Sequence, residues 1–120
     1  MSYTYNHVTL LGNLTRDPDH LEISDSLSKT SFTLAVNRHR KDGTVPETDF
    51  IRITMWGKLA DRSVQMLKKG VPVLVWGRIQ VRSYEKDNVR RKSTEIIADN
   101  FQVLSSPKKG DEKKEFAAQK

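Results

Sequence analysis

The chain has 120 residues, 36% hydrophobic and 30% charged, enough for one domain around a single modest core and too few for two. With 21 basic residues against 15 acidic, its net charge is +6 and its pI near 9.7, which favours polyanionic partners without identifying one. It has no cysteine, which excludes disulfides and thiolate metal sites, and no apolar run approaches membrane-spanning length.

Met1-Ser2-Tyr3-Thr4-Tyr5-Asn6 lacks both the basic and the apolar part of a secretory signal, so a cytoplasmic protein is expected, with an organellar one as the lesser alternative. The apolar run 8–14 predicts a first strand, stopped by the turn signal Thr15-Arg16-Asp17-Pro18. Gly12 inside it predicts a bulge or a sharp bend. Ser24-Asp25-Ser26 predicts a turn. A second strand is expected over 30–38, where Phe32, Leu34 and Val36 alternate with Ser31, Thr33 and Ala35. Lys41-Asp42-Gly43 and Pro46 mark a loop leading to a third strand over 49–56.

In that third strand the two faces differ. Ile51, Ile53 and Met55 form an apolar stripe suited to a core, while Phe50, Arg52, Thr54 and Trp56 fall on the other side. Strand parity leaves two readings of the second face open. Exposed aromatics beside a guanidinium suit base stacking with phosphate contacts. Alternatively, the aromatics are ordinary core and the arginine snorkels to water.

After Gly57 the period changes, and Leu59, Ala60, Ser63, Val64 and Leu67 predict one helix, closed by Lys68-Lys69-Gly70 and Pro72. A fourth strand is expected over 73–84, bent at Gly77. Trp76, Arg78, Gln80, Arg82 and Tyr84 share its polar face and form a second aromatic and basic stripe. Lys86-Asp87-Asn88-Val89-Arg90-Arg91-Lys92 reads as a basic hairpin loop: either a flexible finger over a polyanion or a solvated turn. A fifth strand follows over 94–104. Residues 105–120, with five lysines, three acids and Phe116 as the sole aromatic, are expected to be a flexible charged tail behind a 1–104 domain.

Five strands with one helix between the third and fourth is the element order of the OB-fold, an all-β Greek-key barrel. Seven blocks then carry a resemblance, in order and at matching spacing. They are Val8-Thr9-Leu10-Leu11-Gly12-Asn13-Leu14-Thr15-Arg16-Asp17-Pro18, Phe32-Thr33-Leu34-Ala35-Val36-Asn37-Arg38, Thr48-Asp49-Phe50-Ile51-Arg52, Trp56-Gly57-Lys58-Leu59-Ala60-Asp61, Leu67-Lys68-Lys69-Gly70, Arg82-Ser83-Tyr84-Glu85 and Thr94-Glu95-Ile96-Ile97-Ala98-Asp99-Asn100. Together they resemble bacterial single-stranded DNA-binding proteins.

The resemblance implies that Phe50, Trp56 and Tyr84 stack on bases and that Arg52, Lys58, Lys69 and Arg82 meet phosphates, and Arg91 of the basic 86–92 segment is expected to join them. Arg38, Arg40, Trp76, Arg78, Lys86 and Arg90 are further candidates. It also implies sequence-independent protection of single-stranded DNA in replication, recombination and repair, by a homotetramer joined through the first strand, residues 6–14.

The sequence departs from the family pattern at three places. Arg40 stands near a position where some members have a stacking aromatic. Trp76 replaces a smaller or charged residue, as an extra base platform or as a subunit contact. The end Glu115-Phe116-Ala117-Ala118-Gln119-Lys120 lacks the acidic tip that recruits replication and repair proteins.

No enzymatic pattern competes. His7, His20 and His39 have no metal-ligand spacing, there is no Gly-rich phosphate loop, and the acids are scattered among basic neighbours, so no catalytic residue, metal or cofactor is expected. The competing classes are a primosomal-type interaction adaptor on the same fold and an RNA-binding OB module.

Overall fold

Among the described residues, strand periodicity and turn chemistry translate into six strands and one helix: β1 (Val8–Leu14), β2 (Asp19–Ser24), β3 (Leu27–Asn37), β4 (Thr48–Trp56), α1 (Lys58–Met66), β5 (Pro72–Lys86) and β6 (Val89–Val103). The computed structural model describes residues 2–38 and 47–104. The expected loop around 41–46, Arg40 and the tail 105–120 lie outside the described residues.

Neighbouring strands follow the order β1-β5-β6-β4-β3-β2, and β1 also pairs with β3 at Asn13↔Ala35 and Leu14↔Leu34. That pairing closes β1, β3, β4, β6 and β5 into a barrel in which only β4 and β6 run parallel. With α1 between the third and fourth barrel strands, this is the OB-fold. Closure is short at the β1–β3 seam, and the interior is filled with inward side chains. Leu34, Ile53, Met55, Val73 and Val75 are buried there, with Phe32, Ile96 and Phe101 around them.

Gly12 is present for a different reason from the expected bulge or bend. The β1–β5 register runs through it unbroken, but a Cβ would lie 2.4 Å from the Ala35 carbonyl oxygen of β3. The closing corner therefore needs a residue with no side chain. At Gly77 the expected irregularity is real. The β5–β6 register shifts between Trp76 and Gly77, leaving Asp99 as the extra residue in β6.

Three boundaries differ from the sequence reading. β2 is an additional strand, and β3 starts at Leu27, because residues 19–24 form a hairpin on β3 outside the barrel closure. β2 is almost wholly exposed, and its alternation, Leu21-Glu22-Ile23, is too short to announce a strand. The helix stops at Met66, before Lys68-Lys69-Gly70. Leu67 turns extended (φ −97°, ψ 135°) to bury its side chain, and the last turn carries no base. Residues 86–92 form no loop. β5 and β6 stay paired to Lys86↔Val89, joined by Asp87 and Asn88 at φ 56° and 62°. Asp and Asn tolerate the two left-handed positions that a tight primed hairpin turn demands.

A polar network seats α1. Gly57 opens the helix at φ 68° with no side-chain cap, and its N–H donates to the Ser28 carbonyl at 2.9 Å. Asp61 in the first turn accepts from Ser28 Oγ at 2.5 Å. The buried Thr30 hydroxyl donates to the Ala60 carbonyl at 3.0 Å, so the 2.8 Å contact from His20 Nδ1 is a donation to Thr30 Oγ1. His20 is thus a structural link between β2, β3 and α1.

Candidate nucleic-acid interface

Residues paired across adjacent strands project to the same side of a sheet. On the outer face the rows are therefore set by register. Lys29 stands beside Trp56, Thr33 beside Arg52 and Ala35 beside Phe50. Ser31, Thr54, Ile97 and Arg78 form one row across four strands. Farther along the β5–β6 ladder come Gln80 with Glu95, Arg82 with Ser93, and Tyr84 with Arg91. The two aromatic and basic stripes of the sequence are one continuous surface, with β6 between them.

Phe50 is 67% exposed and Tyr84 46%, while Trp56 is half-buried. All three are outside the core, whose share of β4 is Ile53 and Met55. This decides between the two readings of the Phe50–Trp56 face. Lys29 Nζ lies 5.3 Å from the Trp56 ring centroid, a cation–π contact of about 0.5–1 kcal/mol at such a site.

The cations of this face differ in their partners. At its centre Glu95 is nearly buried, accepting from Thr54 Oγ1 at 2.5 Å through one oxygen and from Arg82 Nε at 3.2 Å through the other. Arg82 is therefore held in place from below. Arg78 lies 3.9 Å from the bulged Asp99. Arg52 reaches only the Ser31 hydroxyl, at 3.5 Å, and has no carboxylate partner among the described residues.

Exposed aromatics interleaved with cations on the open side of an OB barrel form a surface for flat, anionic polymers. A family model described as "Single-strand binding protein family" matches residues 5–104. The chain belongs to that family. It is 45% identical over 101 residues to single-stranded DNA-binding protein 3 of Clostridium acetobutylicum, covering 82% of this chain and 70% of the relative. The single-stranded DNA-binding protein of Clostridium tetani is 43% identical over 102 residues, at 82% and 70% coverage. Single-stranded DNA-binding protein 4 of Streptococcus agalactiae is 41% identical over 101 residues, at 82% and 73% coverage.

The other candidate positions from the sequence do not all fall on this face. Lys58 opens α1 just past Trp56 and is exposed. Lys69 sits around the closing corner, where its backbone N–H donates to Asp17 Oδ1 at 2.8 Å and the next residue, Gly70, donates to the Leu14 carbonyl. Arg91 stands opposite Tyr84, and Lys86 is at the hairpin tip opposite Val89. Arg90 pairs with Glu85, on the other side of the ribbon from Tyr84 and Arg91. Trp76 shares β5 parity with Arg78, but its row neighbours are Thr9 of β1 and Asn100 of β6, so it belongs to the β1 side.

Arg38 is engaged elsewhere. Its guanidinium donates to both oxygens of Asp49, at 2.9 and 3.1 Å, and to Glu47 Oε2 at 2.6 Å. Hydrogen bonding to Arg38 holds the Asp49 carboxyl below the usual carboxylate range and strengthens Arg38's own hold on its proton. This exposed cluster, screened by water, ties the ends of β3 and β4 together and leaves Arg38 compensated by two carboxylates. Sequence reasoning missed Lys29, Ser31 and the Thr54–Glu95 support. Lys29 and Ser31 have the same parity as Thr33, so starting the second strand three residues earlier would have placed Lys29 on the face.

Proposed function

We propose that the face spanning β3, β4, β6 and β5 binds single-stranded DNA without sequence preference, with bases stacked on Phe50, Trp56 and Tyr84. The observation that carries this is the exposure of Phe50 and Tyr84 on one continuous surface with Trp56 and with Arg52, which has no carboxylate partner among the described residues. Every base has a π-face, so such stacking tolerates any sequence. Arg52, Lys58, Arg82 and Arg91 meet phosphates beside the aromatics, and Lys69 extends the track around the corner. Arg78 and Lys86 lie along the same face as secondary contacts, and Arg90, on the other side of the ribbon, meets only a strand that wraps around its edge. Binding releases counterions and weakens as salt rises.

The binding domain spans 1–104 and carries out sequence-independent protection of single strands in replication, recombination and repair. Within the chain, β1 pairs along β5 but reaches β3 only at Asn13 and Leu14, so the rest of its second edge is open to another copy. Asn6 continues the β1–β5 ladder by a side chain, exchanging hydrogen bonds with the Ile79 backbone at 2.7 and 2.9 Å. A homotetramer joined through 6–14 uses that edge, and Trp76, beside Thr9, is a subunit contact in it. Among the described residues no helix is long and apolar enough to cross a membrane, and the working site of such a protein is the bacterial cytoplasm.

The test is a titration of intrinsic tryptophan fluorescence with single-stranded oligothymidylate at two salt concentrations, with matched duplex DNA and RNA alongside. Quenching by the DNA single strand, with affinity falling as salt rises, is the expected result. Equal, unquenched binding of duplex and single strand would reduce the interaction to charge alone, and preference for RNA would replace the ligand. In the same assay Arg52→Ala lowers the salt slope by about 0.7 and leaves base preference unchanged. An unchanged slope removes Arg52 from the phosphate track.

A further inference from the structure

We propose that Lys29 is a phosphate-binding residue of the same interface, parked on Trp56 in the free protein and transferred to the nucleic-acid backbone when a base takes its place. The inference rests on the binding face described above and goes beyond the positions that the sequence pointed to.

Three observations carry it. Register places Lys29 directly beside Trp56, on the outer side of β3. Its ammonium lies 5.3 Å from the indole centroid, where an incoming base would stack. Among the described residues no carboxylate pairs with it, although Arg82, Arg78 and Arg38 each have one or two. Lys29 and Arg52 are thus uncompensated cations flanking the central row of the face, one on β3 and one on β4.

The exchange follows from relative strength. A lysine on an aromatic face is a weaker contact than a base stacked on it, so the base displaces the ammonium. A flexible four-carbon stem lets the displaced charge swing to a phosphate of the same strand without moving the barrel. Stacking at Trp56 is thereby coupled to one further counterion release. On the other side of Lys29 stands the exposed Leu21 of β2, so the uncompensated charge lies between an apolar side chain and an aromatic ring.

The experiment titrates wild type, Lys29→Ala and Lys29→Arg with oligothymidylate at 20 and 200 mM salt, following tryptophan quenching, with thermal melting of each free protein. The expected result is a salt slope about 0.7 smaller for Lys29→Ala, so that its deficit in affinity shrinks about five-fold between the two salts. Lys29→Arg keeps the wild-type slope. If Lys29 only braces the indole ring, Lys29→Ala loses affinity equally at both salts, or not at all, and the proposal is overturned while the binding face stands. If wild type itself shows no salt-dependent quenching, the binding face and the role of Lys29 fall together.

Discussion

Replacing Trp56 with alanine weakens single-strand binding by about 1–3 kcal/mol, roughly 5- to 150-fold, and leaves the barrel folded. That range is the one known for base–aromatic stacking in single-strand-binding OB domains. The structural argument concerns which side of β4 the residue occupies. Ile53 and Met55 fill the interior, and Trp56 stands outside with Lys29 across its ring, so its removal opens no core cavity. Phe50, more exposed still, behaves in the same way, and Trp56→Phe recovers much of the loss because it restores a stacking surface. The measurement is an oligothymidylate titration by a method that does not depend on Trp56 emission, paired with thermal melting. A variant that melts many degrees lower and loses binding in proportion would place Trp56 among the residues that hold the barrel.

Gly77→Ala is expected to have the largest effect on stability. An added Cβ would lie 2.0 Å from the Ile97 carbonyl oxygen, 2.8 Å from Ala98 Cα and 2.9 Å from the Ile97 carbonyl carbon. All three obstacles are backbone, so no rotamer change relieves them, and the β5–β6 ladder must separate at its bulge. A cost of about 3 kcal/mol or more follows, a large part of the roughly 5–15 kcal/mol that holds a domain together. Gly70→Ala is the control. Gly70 has φ +85° but nothing within 4 Å of its Cβ position, so the substitution costs only about 1–2 kcal/mol of left-handed backbone strain. Urea unfolding of both variants separates the two effects, and equal midpoints would mean that the close approach at Gly77 is not what the fold depends on.

The sequence alone divided the strands into an apolar face and a face carrying aromatics with cations, and the structure decided that those aromatics stand outside the core. The strict period of two in Phe50-Ile51-Arg52-Ile53-Thr54-Met55-Trp56 admits only one such division once a core is needed. It also determined the order of the barrel strands and the place of the helix, because the switch from period two to period three and four at Gly57 is local. It did not show β2, whose residues face solvent and whose alternation is only Leu21-Glu22-Ile23, nor the continuous 86–92 ladder, whose charges masked a two-residue turn at Asp87 and Asn88. Above all, only the tertiary structure decided which cations are available. Arg38 looks like Arg52 in the sequence, yet Asp49 and Glu47 close around one while the other, among the described residues, meets only a serine. Glu95 comes under Arg82 because β6 lies between β4 and β5. Lys29 reaches Trp56 across strands 27 positions apart in the chain. Pairings of this kind depend on strand register and barrel closure, which no local pattern encodes.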